Sequence, residues 1–142
     1  MRRLAIDPRR PMSAPPIPDD VQRFVLLAIP SVPYLEALLL MRSAPHRRWN
    51  SSQVAQRLYL SDKVGAALLA ELHAAGVADA DANDAAAGNY QYQPQSDELT
   101  ALIDRLAIIY AKNLVGVSTL IHSKMNKKAQ RFVDAFVLRK ES

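Results

Sequence analysis

Residues 49–77 constrain this chain more than any other stretch, because they hold two short helical patterns, each with its own cap and only a short turn between them. They read Trp49-Asn-Ser-Ser-Gln-Val-Ala-Gln-Arg-Leu58, then Tyr59-Leu60, then Ser61-Asp-Lys-Val-Gly-Ala-Ala-Leu-Leu-Ala-Glu-Leu-His-Ala-Ala75, and finally Gly76-Val77. Asn50 or Ser51 caps the first helix, whose spacing predicts that Val54, Ala55 and Leu58 are buried. Ser61 caps the second, which is expected to bury Val64, Leu68, Leu69 and Leu72. Gly76 follows where a helix end favours a left-handed residue.

The flanking segments supply the rest of a core. Asp19 or Asp20 is expected to cap a helix running to about Ala28, with Val21, Phe24, Val25 and Ala28 on one face, and Ile29-Pro30 stops it. Ser31 then reads as a new N-cap with Pro33 in the first turn. Tyr34, Leu35, Leu38, Leu39 and Met41 make that helix apolar almost all round to about Ser43, so it must be central. Residues 77–93 change character: turn residues Asn83-Asp84 and Gly88-Asn89 precede the alternating Tyr90-Gln-Tyr-Gln93, which predicts a hairpin with Tyr90 and Tyr92 on its core side.

Pro94 and Ser96 end the hairpin and cap a further helix, with Asp97 and Glu98 suited to its dipole. Apolar positions 103, 106, 110, 114, 117, 120 and 121 continue a stripe to about His122, predicting one helix on the order of 35 Å long. A domain this small does not need such a helix for its own core, so the stripe is expected to pair two copies through Leu106, Tyr110, Leu114, Val117 and Ile121. Residues 127–138 carry Phe132, Val133, Phe136 and Val137 on one face, a short terminal helix whose Phe132 and Phe136 are expected to assist that pairing.

The predicted fold is mainly α, with a small β-hairpin, a long C-terminal helix and a short terminal one. Residues 1–18 form a Pro/Arg-rich arm expected to be flexible, 19–95 the folded domain and 96–142 a helical dimerisation segment. The arm holds five of the nine prolines together with Arg2, Arg3, Arg9 and Arg10.

Two capped helices after a Trp, an Ala-x-x-Leu in the first, a Leu-x-x-Leu in the second, then Gly-Val and a hairpin resemble the bacterial winged helix-turn-helix regulators. The long helix after the wing makes the MarR-like group the nearest form. The resemblance covers about residues 34–93. It implies a homodimeric transcriptional regulator whose helix from Ser61 to Ala75 enters the DNA major groove while the preceding helix braces the backbone.

On that reading the DNA-binding residues are Arg47, Arg48, Ser51, Arg57, Ser61, Lys63 and Ala66. The outward residues at the start of the second helix would be Asp62, Lys63, Gly65, Ala66 and Ala67, and of these only Lys63 carries a base-reading side chain. From Gly76 to Glu98 there are five acids (Asp79, Asp81, Asp84, Asp97, Glu98) and no Lys or Arg, so the wing is expected to be repelled by phosphate. Positive charge gathers instead at Arg42, His46, Arg47, Arg48, Arg57 and Lys63, and again at Lys124, Lys127, Lys128, Arg131, Arg139 and Lys140. The net charge of +4 and the pI of about 9.6 agree with a polyanionic partner.

Other chemistries lack their residues. With no cysteine, disulfides, thiolate metal sites and cysteine nucleophiles are excluded by count. His46, His73 and His122 lie far apart without a carboxylate at ligand spacing, so no metal is expected, and His73 reads as a half-buried structural imidazole. The four glycines are scattered, leaving no phosphate-cradling loop, and no catalytic residue or cofactor is expected. Trp49 is expected to pack among the first three helices. The start lacks a signal peptide's apolar core and no stretch is long enough to span a membrane, so the chain is read as cytoplasmic. The alternative function is a winged helix that has lost DNA binding and recognises a protein, supported by the acidic wing and the alanine-rich second helix.

Overall fold

A computed structural model of the 142-residue chain describes residues 16–80 and 89–123. The arm up to residue 15, the hairpin tip with Asp81, Asn83, Asp84 and Gly88, and everything after Ser123, including Phe132 and Phe136, lie outside the described residues.

Helix α1 (Asp19–Ala28) buries Val21 and Val25, and Phe24 packs partly against the same core. Its N-cap is Pro18, not an aspartate: Asp20 instead turns its carboxylate to the guanidinium of Arg105, accepting from Nη2 at 2.9 Å and also pairing with Nη1. Ala28, expected on the apolar face, is exposed, because the chain bends by 109° between α1 and the next helix. Helix α2 (Val32–Ser43) starts as expected, with Ser31 Oγ accepting from the Tyr34 N–H at 3.2 Å. It is the hub of the fold, burying Tyr34, Leu35, Ala37, Leu38 and Met41.

The strand β1 (Arg48–Trp49) precedes α3 (Ser51–Leu58) and α4 (Asp62–Ala74), and then β2 (Ala78–Ala80) and β3 (Tyr90–Tyr92) follow. The strands form a three-stranded antiparallel sheet in the order β1-β3-β2, with Trp49 opposite Tyr90, and Ala78 opposite Tyr92. The hairpin was legible from the sequence, whereas β1 was not. Gly76 has φ +79, the left-handed backbone its position implies. Tyr90 and Tyr92 pack partly buried against the core.

The expected single long helix is two. Helix α5 (Asp97–Lys112) stops at Asn113, and α6 (Leu114–Ser123) leaves at a bend of 113°. Asn113 makes the break: its N–H still donates to Ile109 O at 2.8 Å, while its Oδ1 accepts from the Gly116 N–H at 3.0 Å and its carbonyl from Val117 at 3.1 Å. It thus closes one helix and caps the next.

The bend also corrects the expected subunit contacts. Leu106, Val117 and Ile121 have no exposed surface and Tyr110 only 8%, because both helices turn the stripe into the core made by α1 and α2. Leu114, at 53% exposure, is the one expected contact residue among the described residues that remains on the surface. Residues 97–123 therefore share one core with the helices before them. Among the described residues no single helix is long and apolar enough to cross a membrane.

Three phenols tie α2, α5 and the sheet to this core. Burial raises the pKa of each above the ordinary tyrosine value, helped at Tyr34 by the charge of Glu71 and at Tyr92 by Asp104, against which Arg42 acts. At Tyr110 burial is again the first cause, followed by the charge of Glu36 and the hydrogen bond that Tyr110 donates to Glu36 Oε2 at 3.1 Å. A phenol whose folded pKa lies above its unfolded one stabilises the fold fully below the unfolded value and loses that contribution as pH rises through the folded one. Thermal stability should therefore fall as pH rises above about 10. Tyr34→Phe and Tyr110→Phe should flatten that alkaline limb in a series of melting curves; a limb equally steep in both variants would assign it to other groups.

Candidate nucleic-acid interface

Helix α3 begins with a reciprocal cap. Asn50 Oδ1 accepts from the Gln53 N–H at 2.9 Å, and Gln53 Oε1 accepts from the Asn50 N–H at 3.1 Å. Helix α4 begins at Ser61, whose Oγ accepts from the Val64 N–H at 3.2 Å. Between them Tyr59 ends α3 in the left-handed conformation, φ 59 and ψ 47, and its side chain is 95% exposed.

The two helices meet at Gly65. A Cβ there would lie 2.5 Å from the carbonyl oxygen of Ser51 and 3.4 Å from Ala55 Cβ, so the backbone of α4 rests directly on α3. This reverses the expected facing: Gly65, expected outward, is buried, and Val64, expected inward, is 40% exposed. A helix that approaches its neighbour through a glycine rotates the adjacent valine off the interface.

The side chains expected to bind DNA sit mostly on the surface. Arg47, Arg48, Arg57, Ser61, Lys63 and Ala66 are exposed, and Ser51 is half-buried beneath Gly65. Arg47 and Arg57, ten positions apart, converge on the indole of Trp49, their guanidinium carbons 4.1 and 5.4 Å from the ring centroid. Trp49 itself is only 1% exposed, packed in the core as expected and paired in β1. Each such contact is worth about 0.5–1 kcal/mol at an exposed site. A planar cation stacked on a ring keeps its edge N–H groups free to donate in the plane of the stack.

Among the described residues no carboxylate lies within 4.0 Å of Arg47, Arg57 or Lys63. Arg42 differs: its Nε donates to Asp104 Oδ1 at 2.8 Å, binding α2 to α5 and removing Arg42 from the basic set. The Gln91 side chain donates to Pro45 O at 3.2 Å, tying the loop that carries His46 and Arg47 to β3.

The outer surface of α4 presents Asp62, Lys63, Ala66 and Ala67, all exposed, and β2 presents exposed Asp79. Lys124, Lys127, Lys128, Arg131, Arg139 and Lys140 lie outside the described residues. His73 is exposed rather than half-buried, with its ring 5.7 Å from that of Tyr90 at 60°. It borders a hollow of about 410 Å³ lined also by Gly76, Ala78, Asp79, Gln93, Pro94 and Gln95, whose polar side chains are all solvated. Among the described residues no group of His, Asp and Glu is placed to hold a metal ion.

Two features of this face were missed in the sequence. The role of Trp49 as the platform for two arginines depends on the pairing of β1, which a two-residue strand does not announce. Tyr59 did carry a signal, an aromatic where a helix-to-helix turn favours glycine. No protein-family model, no curated protein and no solved structure matches this chain.

Proposed function

We propose that this chain is a DNA-binding transcriptional regulator of the winged helix-turn-helix kind, MarR-like in layout, with α3 and α4 as the helix pair and β2 and β3 as the wing. The observation that carries the reading is the pair of guanidiniums placed over one indole. Arg47 and Arg57 are held beside α3 on one indole, and no carboxylate neutralises either among the described residues. Two ordered cations next to the helix that would brace the DNA backbone suit phosphate contacts. The antiparallel order β1-β3-β2 and the glycine-mediated contact of α3 with α4 are in keeping with that layout.

Base reading on this proposal is slight, since α4 offers Lys63 among alanines, and the sequence-dependent shape of the duplex takes a larger share. The protein acts in the cytoplasm as a homodimer that sets two α4 helices in successive major grooves. With the α5 stripe committed to the core, the apolar side chains that remain exposed around the helix bend among the described residues are Ile108, Leu114 and Val115, at 56%, 53% and 73% exposure, and these are the ones proposed to pair; Leu26 and Leu27 are exposed separately on α1.

The test is binding to a random duplex at about 50 and 200 mM salt, where a phosphate-led interface loses affinity steeply. No binding at the lower salt rejects DNA recognition. Sedimentation as a monomer, free and on DNA, rejects the dimer. A second reading, recognition of a protein, is favoured by Val64 at 40% exposure beside Ala66 and Ala67, an apolar and nearly uncharged strip on α4. It requires that duplex affinity be absent at both salts.

A further inference from the structure

We propose that Tyr59 is a DNA-contacting residue, its hydroxyl donating a hydrogen bond to a backbone phosphate of the duplex. This rests on the DNA-binding reading of α3 and α4. Among the described residues Tyr59 is the only non-glycine residue with positive φ, and it is the most exposed of the large hydrophobic side chains. Each property opposes folding. The left-handed region crowds Cβ against the following carbonyl, a cost that glycine avoids. A ring at 95% exposure recovers almost none of the burial that stabilises tyrosines elsewhere in the chain.

The position explains what the fold does not. Tyr59 stands in the turn between the two helices, two residues after Arg57, whose guanidinium lies over the Trp49 ring, and two before Ser61, the cap of α4. Cα atoms two apart are within about 7.6 Å, so the backbone of Tyr59 lies beside that of Arg57, and its side chain is free in solvent next to the exposed start of α4. The left-handed backbone ends α3, and the Leu60 N–H reaches back to Ala55 O at 2.9 Å as α4 departs. A phenol there is a neutral donor of the sort that phosphates accept along with arginine and lysine. Being neutral, it adds affinity without adding to the salt slope.

Two variants separate function from folding. Tyr59→Phe removes only the hydroxyl, and Tyr59→Gly removes the ring and relieves the backbone. Binding to a random duplex at low salt should weaken about tenfold in Tyr59→Phe, the usual worth of one hydrogen bond to a charged group. The salt slope should be unchanged. Tyr59→Gly should bind at least as weakly while melting no lower than the parent protein.

If both variants bind as the parent does, Tyr59 is no contact and the proposal falls with DNA recognition intact. If Tyr59→Phe binds fully and Tyr59→Gly does not, the ring acts apolarly and the phosphate bond is refuted. A Tyr59→Gly melting point well below that of the parent would make Tyr59 a structural residue. If the parent itself fails to bind at low salt, the DNA reading fails, and this proposal with it.

Discussion

Replacing Arg47 and Arg57 together with glutamine should lower affinity for random duplex DNA on the order of a hundredfold at low salt and reduce the log–log salt slope by about two. The effect is large because each guanidinium already lies over Trp49 and, among the described residues, has no carboxylate to lose when phosphate arrives. Unlike a mobile surface lysine, it spends little side-chain entropy on contact. The loss should be uniform across sequences, since phosphate contacts carry no base information. Arg42→Gln provides the contrast, because Arg42 is engaged by Asp104, and its replacement should leave the slope unaltered. Arg47→Lys tests the stack itself: charge is kept, so a weakened affinity would come from losing the planar cation. A double variant with the parent slope would reject Arg47 and Arg57 as phosphate contacts.

The second large effect is on stability. Gly65→Ala should destabilise the fold by about 1–3 kcal/mol, read as a lower denaturant midpoint, even though alanine is the better helix former by about 1 kcal/mol. Overpacking prevails because the new methyl would meet a backbone carbonyl, that of Ser51 at 2.5 Å, rather than the end of a pliable side chain. Relief requires α4 to move off α3, and Val54, Leu68, Leu69 and Leu72, which belong to the shared core, resist that. Ala66→Gly, one position on and exposed, should cost only the ordinary helix penalty of about 1 kcal/mol. A Gly65→Ala variant as stable as the parent would mean that the two helices separate without cost.

Much of the helical layout was legible because it is written locally. Ser31, Asn50, Ser61 and Ser96 each cap the helix that begins after them, through bonds reaching three residues along the chain. The all-round apolar run of α2 implied its central place, and Gly76 its left-handed backbone. Proline at 30 separated α1 from α2, as its lack of an N–H requires. Of the site, exposure of the expected basic residues was legible, but their association was not, since nothing in the spacing of 47 and 57 points to a shared ring.

The stripe from 103 to 121 shows why periodicity has limits. It continues through Asn113 unbroken, and one straight helix was the natural reading. A bend of 113° leaves the pattern intact when both helices turn the same stripe into one core. Hydrophobic spacing states which residues leave water, not what covers them, so burial within the chain and burial against a second copy give the same sequence pattern.

By itself, then, the sequence determined the caps and starts of α2, α3, α4 and α5, the central helix and the hairpin, features set by bonds and steric limits within a few residues, whereas the Pro18 cap of α1 and the start of α6 at Asn113 were not read from it. Only the tertiary structure decided the fate of the α5 and α6 stripe, the pairing of β1 with β3, the ion pair between Arg42 and Asp104 across 62 positions, and the meeting of Arg47 and Arg57 on Trp49. Those depend on which surfaces of separate elements approach each other, and such approach is set by packing the described elements around α2 rather than by any residue's neighbours in sequence.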